Sequence, residues 1–304
     1  MDFFYFILGS LGIFFGSTLL IDNSTLIART LRISPVVIGL TIIAFGTSLP
    51  ELVVSVMASI KSEGEIVLGN VVGSNIANIF LVLPVIVLFK SIPIKIDSIK
   101  QGLIYLVIST AFLCILLVYQ LLNLISGLIL LSLFCIYMFR QFKEGNRIEK
   151  GDDSSIEEFS FKYITYIVIG IILLGFGSDL FINSSIAIAI FFDIPKIVIS
   201  VSLVAFGTSV PELVTSIVAI RRNEPNFVIG NILGSNIINI LLVLGTSLAI
   251  NDIYLNFNSI YVPYLFLIIS GFLLSLVLLF QNMISKIHGF IFLLLYALFI
   301  YLTL

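Results

Sequence analysis

The octapeptide AFGTSLPE at residues 44–51 recurs as AFGTSVPE at residues 205–212, each time inside a long apolar stretch. A second pair follows in register, since GNVVGSNIAN at residues 69–78 recurs as GNILGSNIIN at residues 230–239. Every matched position is offset by 161 residues (205 − 44) without a gap. The matched residues are largely polar, whereas a duplicated packing core is expected to match in its apolar residues. The duplication therefore predicts two halves of one site.

The composition is that of an integral membrane protein. Apolar residues make up 60% of the 304 residues and charged residues only 11%, with a mean hydropathy of +1.22, and soluble domains of this length do not have that balance. A helix needs about 20 apolar residues to cross the hydrocarbon core. On this criterion we predict ten transmembrane helices, at residues 3–27, 35–60, 66–89, 101–119, 122–142, 162–190, 196–220, 227–250, 260–280 and 286–303.

Five predicted helices precede the polar stretch 143–160 and five follow it. We therefore expect an all-α protein with a first five-helix repeat at 1–142, a linker at 143–160 and a second five-helix repeat at 161–304. The first span lacks a small-residue cleavage site and is interpreted as a retained helix. Cys114 and Cys135 lie within apolar spans, which favours neither a disulfide framework nor a metal site.

Lysine and arginine are unevenly distributed over the predicted loops. The side that carries the first loop has Arg29, Arg32, Lys90, Lys95, Lys100, Arg140, Lys143, Arg147, Lys150, Lys162, Arg221, Arg222 and Lys286, and the other side has Lys61 and Lys196. The positive-inside rule makes the first of these sides cytoplasmic. We expect a multi-pass protein of the cell (inner) membrane with both termini outside and a cytoplasmic 143–160 linker.

An odd number of helices in each repeat turns the second repeat upside down relative to the first. Inverted repeats with broken helices at the midplane of the bilayer are typical of secondary transporters. Channels also carry inverted repeats, so this arrangement favours transport without deciding the mechanism.

Each octapeptide places oxygen-bearing groups on one helical face, at positions i, i+3, i+4 and i+7. These are Ala44, Thr47, Ser48 and Glu51 in the first copy, and Ala205, Thr208, Ser209 and Glu212 in the second. The proline before each glutamate lacks an N–H and clashes with the carbonyl four residues earlier. We therefore expect a helix break that leaves main-chain oxygens of 44–47 and 205–208 without helical partners, which is costly in hydrocarbon unless they are buried, hydrated or bound to a cation.

The second motif adds neutral oxygens at i and i+4. These belong to Ser74 and Asn78 in the first copy and to Ser235 and Asn239 in the second. The glycines at 69, 73, 230 and 234 allow close helix contact, and helix packing alone is an alternative explanation. It accounts for the glycines but not for the recurring asparagines. We expect Asn70, Asn75, Asn231 and Asn236 to hold the broken helices by hydrogen bonds rather than to touch an ion.

The two glutamates are the strongest functional candidates, because a charge at mid-membrane costs about 3 kcal/mol even on a lenient scale. No lysine or arginine lies in the middle of a span to pair with Glu51 or Glu212. Facing carboxylates without a basic partner share a proton or bind a cation, and the alternative is that both are permanently protonated. Hard oxygen donors of this kind suit Na⁺ or Ca²⁺. Asp22 and Asp179 are not duplicated and are interpreted as helix-end or cavity-facing groups.

The two motif pairs resemble the α-repeats of the calcium/cation antiporter superfamily, most nearly the prokaryotic sodium/calcium exchanger family, over the whole chain. The resemblance implies four clustered cation sites centred on Glu51 and Glu212, with further oxygens from the other residues of the motifs. These are the hydroxyls of Thr47, Ser48, Thr208, Ser209, Ser74 and Ser235, the carbonyls of Ala44 and Ala205, and the amides of Asn78 and Asn239. The resemblance also implies that the first and sixth helices slide across a fixed core, and we expect Gly16–Ser17 and Gly177–Ser178 to permit that sliding contact.

One position departs from some relatives, including potassium-dependent exchangers, which have aspartate in place of Asn239. The asparagine argues against potassium co-transport and leaves two formal negative charges in the site. The resemblance implies exchange of external Na⁺ for cytoplasmic Ca²⁺, with both ions as substrates and no cofactor. H⁺/Ca²⁺ exchange and a passive cation channel remain alternatives. An enzyme is disfavoured because no span pairs a nucleophile with a histidine or presents two catalytic aspartates. The lipid bilayer is the expected surrounding, no nucleic acid partner is expected, and the oligomeric state stays open.

Overall fold

The computed structural model describes residues 1–145, 159–192, 205–254 and 257–303. Long helices and two short strands account for most of this part of the chain. The helices are α1 Asp2–Thr30, α2 Pro35–Thr47, α3 Leu49–Ile60, α4 Gly64–Phe89, α5 Ile96–Val118, α6 Leu124–Gly145, α7 Phe161–Phe191, α8 Ala205–Thr208, α9 Val210–Arg221, α10 Pro225–Ile250, α11 Phe257–Phe280 and α12 Lys286–Thr303. The strands are β1 Ile92–Pro93 and β2 Met283–Ile284.

Eight of the described helices are long and apolar enough to cross a membrane, and the bent pair of α2 and α3 makes a ninth. The predicted span 196–220 falls partly outside the described residues, which contain only α8 and α9 from it. Several helices run past the predicted ends. For example, α5 begins at Ile96, before the predicted start at 101. The carboxylate of Asp97 in the first turn stabilises a helix N-terminus. The same charge lowers the local hydropathy, so the hydropathy criterion placed the start too late.

Two helices form the centre of the molecule. In their most apolar windows, 83% of the residues of α4 and 94% of those of α10 are buried, against 39% or less in the other long helices described. Close approach at glycine explains part of this burial. A Cβ on Gly230 would lie 2.6 Å from the carbonyl oxygen of Val36, and one on Gly234 would lie 2.6 Å from that of Leu40. The predicted role in helix contact is confirmed for these two glycines. It is wrong for Gly69, because a Cβ there would meet no described atom within 4 Å.

In the described part of the chain, three π-helical segments interrupt helices α2, α4 and α10, and no sequence pattern predicted them. They span Gly39–Ile43 in α2, Asn78–Val82 in α4 and Asn239–Leu244 in α10. Short π-segments inside α-helices often occur at functional sites, where the wider turn redirects side chains and frees carbonyls. Two of the three begin at a predicted ligand, Asn78 or Asn239. In the first π-segment, the carbonyl oxygen of Leu40 accepts a hydrogen bond from the Tyr137 hydroxyl at 2.7 Å.

The first long helix packs along α7, in the most extensive helix contact of the described residues. Glycines bring the two backbones together: a Cβ on Gly16 would lie 2.7 Å from the Gly170 oxygen, and one on Gly177 would lie 2.7 Å from the Ile13 nitrogen. The expectation that Gly16 and Gly177 form a sliding contact with the core is therefore wrong. They join α1 to α7, because a glycine leaves room for the backbone of the facing helix.

Contacts between loops connect segments far apart in the chain. The two strands pair antiparallel, with Ile92 opposite Ile284. On another surface, the amide of Asn251 donates to the Ser62 hydroxyl at 2.8 Å, and the N–H of Ile253 donates to the Leu122 oxygen at 2.9 Å. Each contact joins loops that the predicted topology places on one side of the membrane.

Candidate cation-binding site

Both octapeptides interrupt a helix next to their serine. In the first copy the axis bends by 47° between α2 and α3, with Ser48 at the turn. In the second copy α8 ends at Thr208, Ser209 occupies the turn and α9 begins at Val210. The proline is the second residue of the new helix in each copy, where its missing N–H is tolerated. The predicted break is present in both copies.

The break does not free the carbonyl of Ala44, contrary to the sequence-based expectation. Its oxygen accepts the N–H of Ser48 at 3.0 Å and lies 3.3 Å from the hydroxyl oxygen of Thr47. Pro50 removes the bond to the residue four earlier, which is Gly46, so the last bond of α2 survives at Ala44. The expectation that the Ala44 carbonyl lacks a helical partner is therefore wrong, and the assignment of the Ala44 and Ala205 carbonyls as ligands stays a prediction.

The structure brings the two glutamates together at the centre of the molecule. Glu51 on α3 and Glu212 on α9 are both 0% exposed, and their carboxylates are close enough to interact electrostatically. The Ser48 hydroxyl donates to Oε1 of Glu212 at 3.5 Å, which joins the first octapeptide to the second. Thr47 and Ser235 also lie close enough to the Glu212 carboxylate to interact with it electrostatically.

Hydroxyls of one copy meet hydroxyls of the other. Thr47 and Ser235 are 3.3 Å apart, and Ser74 and Thr208 are 3.4 Å apart. The two contacts are equivalent under the 161-residue offset, because each joins a first motif to the second motif of the other copy. These four predicted ligands therefore surround the carboxylates as two symmetric pairs.

Several asparagines of the second motifs make hydrogen bonds within and between the two copies. Nδ2 of Asn78 donates to Oδ1 of Asn236 at 3.1 Å, so Asn236 holds a side chain of the other copy by a hydrogen bond, as predicted. Asn70 and Asn231 also bond to the broken helices, through the Glu51 carbonyl and the Thr47 hydroxyl. The side chain of Asn75 is buried and makes no hydrogen bond within the described part of the chain, so the predicted hydrogen-bonding role is wrong for this residue.

Several buried oxygens of this site accept no hydrogen bond from any described residue. They are Oε1 and Oε2 of Glu51, Oε2 of Glu212, Oγ of Ser209, and Oδ1 of Asn78 and of Asn239. Folded proteins satisfy about 90% or more of their buried polar groups, so a cluster of six unpartnered oxygens indicates a ligand that the protein alone does not supply. Ca²⁺ takes six to eight oxygen ligands, and this donor set fits it.

The remaining acidic candidates lie away from the carboxylate pair. Asp22 accepts from Arg222 at 2.7 Å in a partly exposed ion pair, and Asp179 is exposed and accepts from Asn183 at 3.0 Å. Among the described residues no cluster of three or more Asp, Glu, His or Cys side chains forms a metal site. The site therefore combines two charged residues with neutral oxygens.

Sequence reasoning missed Ser55 and Ser216, which follow the glutamates by one turn. Asn70 donates to the Ser55 hydroxyl at 2.8 Å, and Asn231 donates to the Ser216 hydroxyl at 3.5 Å. Both serines are identical under the 161-residue offset, so the duplication itself carried the signal. A second missed contact, between Ser17 of α1 and Thr215 of α9 at 3.0 Å, has no such signal because only the serine is duplicated.

Comparison with known families gives one consistent match. The family model described as sodium/calcium exchanger protein matches residues 1–143 and 162–304. An uncharacterized membrane protein of Methanocaldococcus jannaschii is 37% identical over 295 residues, which cover 96% of this chain and 94% of that protein. The sodium/calcium exchanger MaX1 of Methanosarcina acetivorans is 32% identical over 288 residues, which cover 81% and 82% of the two chains.

Solved structures agree with these matches. The sodium-calcium exchanger NCX_Mj, soaked with 10 mM Na⁺ and 10 mM Sr²⁺, superposes with a TM-score of 0.83 at 34% identity, covering 98% of this chain and 96% of that one. The same exchanger without Na⁺ and Ca²⁺ gives a TM-score of 0.82. The similarity therefore extends over the whole arrangement of helices around the two glutamates.

Proposed function

The chain belongs to the sodium/calcium exchanger family, whose activity is antiport of Na⁺ against Ca²⁺, and from that premise we propose which of its residues hold the ions and how exchange is enforced. The transported ions bind between Glu51 and Glu212. The single observation that carries this assignment is the cluster of buried, unpartnered oxygens around the two carboxylates. The further proposed ligands are the side chains of Thr47, Ser48, Ser74, Asn78, Thr208, Ser209, Ser235 and Asn239, and the carbonyls of Ala44 and Ala205.

Charge balance makes the two substrates exclude each other. One Ca²⁺ neutralises Glu51 and Glu212 together, and several Na⁺ ions can occupy the same hard oxygens. At an effective dielectric of about 20, a unit charge pair about 4 Å apart is worth roughly 4 kcal/mol, and Ca²⁺ gains about twice that against each carboxylate before desolvation is subtracted. Ca²⁺ and Na⁺ therefore compete for the carboxylates of Glu51 and Glu212 and do not bind there together.

The same energetics make exchange obligatory. Without a cation, two like charges remain desolvated in the centre of the protein while the gate moves, which raises the barrier to that motion. A bound ion removes this barrier. The site therefore switches quickly between the two sides of the membrane when an ion is bound and slowly when it is empty. Transport of one ion species is thereby coupled to the return of the other.

We propose that α1 and α7 move together as the gate. Three features support this. The two helices pack on each other through glycine, they lie outside the buried α4 and α10 pair, and α1 contacts α9 beside the site through the bond between Ser17 and Thr215. Movement of the pair across the core alternately uncovers the site to each side of the membrane.

The full topology is a ten-helix, five-plus-five inverted repeat with the linker 143–160 between the halves. The pairing of β1 with β2 and the contacts of Asn251 with Ser62 and of Ile253 with Leu122 support the proposed sides, because each joins loops assigned to the same side. We place both termini outside and the linker in the cytoplasm of a cell (inner) membrane. With Na⁺ entering down its gradient, the proposed direction of Ca²⁺ transport is extrusion.

Counter-ion dependence in sealed vesicles tests the function. Purified protein in Na⁺-loaded vesicles is expected to take up Ca²⁺ only while an outward Na⁺ gradient exists. Uptake that follows a pH gradient without Na⁺ would support H⁺/Ca²⁺ exchange, because protons can replace Na⁺ on two carboxylates. Uptake that needs no counter-ion would support a channel. Protein-free vesicles carrying the same Na⁺ gradient control for leakage.

A further inference from the structure

Asn231 is a buried side chain that contacts both copies of the repeat. Its Nδ2 donates to Ser216 at 3.5 Å, one turn after Glu212 in its own copy. Its Oδ1 accepts the hydroxyl of Thr47, in the other copy, at 3.1 Å. Asn231 therefore connects a proposed ligand of the first copy to the glutamate helix of the second.

The direction of these bonds matters for a hydroxyl ligand. A threonine oxygen binds a cation through a lone pair, so its only proton must point elsewhere. The Thr47 hydroxyl is 3.3 Å from the Ala44 carbonyl, 3.3 Å from Ser235 and 3.1 Å from Oδ1 of Asn231. The amide oxygen is the nearest of these acceptors, and it cannot itself donate.

The same amide position is used in the first copy. Asn70, which corresponds to Asn231 under the 161-residue offset, donates from Nδ2 to the Ser55 hydroxyl at 2.8 Å and to the Glu51 carbonyl at 3.0 Å. In both copies the amide nitrogen thus bonds to the serine one turn after the glutamate. With its nitrogen held on that side, the amide oxygen of Asn231 faces Thr47.

We propose that Asn231 is a positioning residue that takes the proton of the Thr47 hydroxyl and so turns the oxygen lone pairs of Thr47 toward the transported ion. This inference rests on the proposed function, because it assigns a role around the same ions. Asn231 acts through Thr47 and does not bind the ion itself. Loss of the amide oxygen lets the hydroxyl proton turn into the site, which opposes cation binding.

A double-mutant cycle tests the proposal, since only residues that act together give non-additive effects. Thr47→Val keeps the shape of the side chain and removes the oxygen, and Asn231→Leu removes the acceptor. Each change alone is expected to raise the half-saturating Ca²⁺ concentration about fivefold, as expected for one hydrogen-bonded neutral group, with the maximal exchange rate changed less. The double variant is expected to match either single variant.

Asn236→Leu is the matched control, because Asn236 is buried on the same helix but bonds to Asn78 and not to Thr47. Its effect is expected to add to that of Thr47→Val. If the effects of Asn231→Leu and Thr47→Val also add, Asn231 serves only packing and the proposal is wrong. Wild-type protein that shows no Na⁺-dependent Ca²⁺ uptake would instead overturn the proposed function.

A second variant keeps the test decisive if Asn231→Leu does not fold. Asn231→Asp retains an acceptor oxygen opposite Thr47, so Thr47→Val is still expected to raise the half-saturating Ca²⁺ concentration about fivefold in that background, by the same hydrogen-bond argument. If Thr47→Val has no effect beside the aspartate, an acceptor at position 231 is not what orients the hydroxyl, and the proposal fails.

Discussion

The hydroxyl of Ser48 donates to the carboxylate of Glu212 at 3.5 Å across 164 residues of sequence. The donor belongs to the first copy of the octapeptide and the acceptor to the second. With the contact between Thr47 and Ser235 at 3.3 Å, it shows that side chains of one copy, which we propose as ligands, contact those of the other. Neither half of the chain contains a complete site, which explains why the two copies match in their polar residues.

The first prediction concerns the charges at this centre. Glu51→Gln and Glu212→Gln keep the shape of each side chain and remove one of two charges that face a divalent ion. Even after desolvation offsets much of the roughly 4 kcal/mol per charge pair, each variant is expected to abolish Na⁺-dependent Ca²⁺ uptake in vesicles while it elutes as a folded protein. Glu63→Gln, the same change at an exposed loop position, is the control and is expected to transport normally.

Near wild-type exchange by both glutamine variants would show that the carboxylates do not bind the transported ion. The duplicated octapeptides would then serve helix packing.

The neutral ligands are expected to contribute less than the charged ones. Asn78→Ala and Asn239→Ala each remove an unpartnered amide oxygen, so we expect weaker Ca²⁺ binding, by about tenfold or less for one neutral hydrogen-bonding group, with transport retained. Asp179→Asn is expected to be milder than either glutamine variant, because Asp179 is exposed and bonds to Asn183. A titration of initial uptake rate against Ca²⁺ concentration measures these effects. Complete loss of transport in Asp179→Asn would place that residue in the site.

Much of this arrangement was predictable from the sequence, because the duplication marks the residues that two copies must share. The break at Pro50, the burial of Glu51 and the close helix contact at Gly234 all follow from local chemistry. The π-helical turns at Asn78 and Asn239 did not follow, since they depend on packing and not on local propensity.

The partners of the gate helices were also not predictable. Glycine indicates that a backbone comes close, but it does not say to which neighbour, so Gly16 and Gly177 were assigned to the wrong contact. The ion pair of Asp22 with Arg222 joins helix α1 to the loop after α9, across 200 residues of sequence. Only a three-dimensional arrangement brings such residues together.

A further prediction concerns helix packing at Gly234. A Cβ there would lie 2.6 Å from the Leu40 oxygen and 2.7 Å from the Ala44 Cβ, so Gly234→Ala must separate α10 from α2 and widen the ion site. We expect a lower melting temperature, since overpacking costs about 1–3 kcal/mol, and a loss of Ca²⁺ uptake. Gly175→Ala is the matched control, because no described atom lies within 4 Å of its Cβ position. Equal behaviour of the two variants would contradict the close contact.

Topology is testable by thiol labelling. In a background with Cys114→Ala and Cys135→Ala, single cysteines introduced in the 143–160 linker are expected to resist an impermeant reagent in intact cells. A cysteine at Ser62, in a loop on the opposite proposed side, is expected to react. The physical reason is the excess of lysine and arginine on the linker side. External labelling of the linker would overturn both the orientation and the inverted arrangement.

The polar contacts of α1, in the proposed gate, change character under the 161-residue offset. Helix α1 meets α9 and the loop after it through Ser17 with Thr215 at 3.0 Å, Asp22 with Arg222 at 2.7 Å and Arg29 with Glu224 at 3.5 Å. The 161-residue offset converts these into Ser178 with Val54, Asn183 with Lys61 and Ile190 with Glu63. These converted pairs include no pair of opposite charges, so we infer that the ion pairs favour one of the two positions of the proposed gate.

The last prediction follows from that asymmetry. Arg222→Gln removes the ion pair with Asp22, and a partly exposed pair is worth up to about 1 kcal/mol, or roughly a fivefold change in the ratio of two states. The reporter is Ser24→Cys in the cysteine-free background, since Ser24 lies buried on α1. Its labelling from the cytoplasmic side is expected to become up to about fivefold faster in Arg222→Gln by the same ion-pair argument.

The control is Arg221→Gln, which changes the adjacent exposed arginine and is expected to leave the labelling rate unchanged. Salt screens exposed pairs, so high ionic strength is expected to bring the wild type toward the variant. Equal labelling rates at low salt would show that the ion pair does not hold the gate.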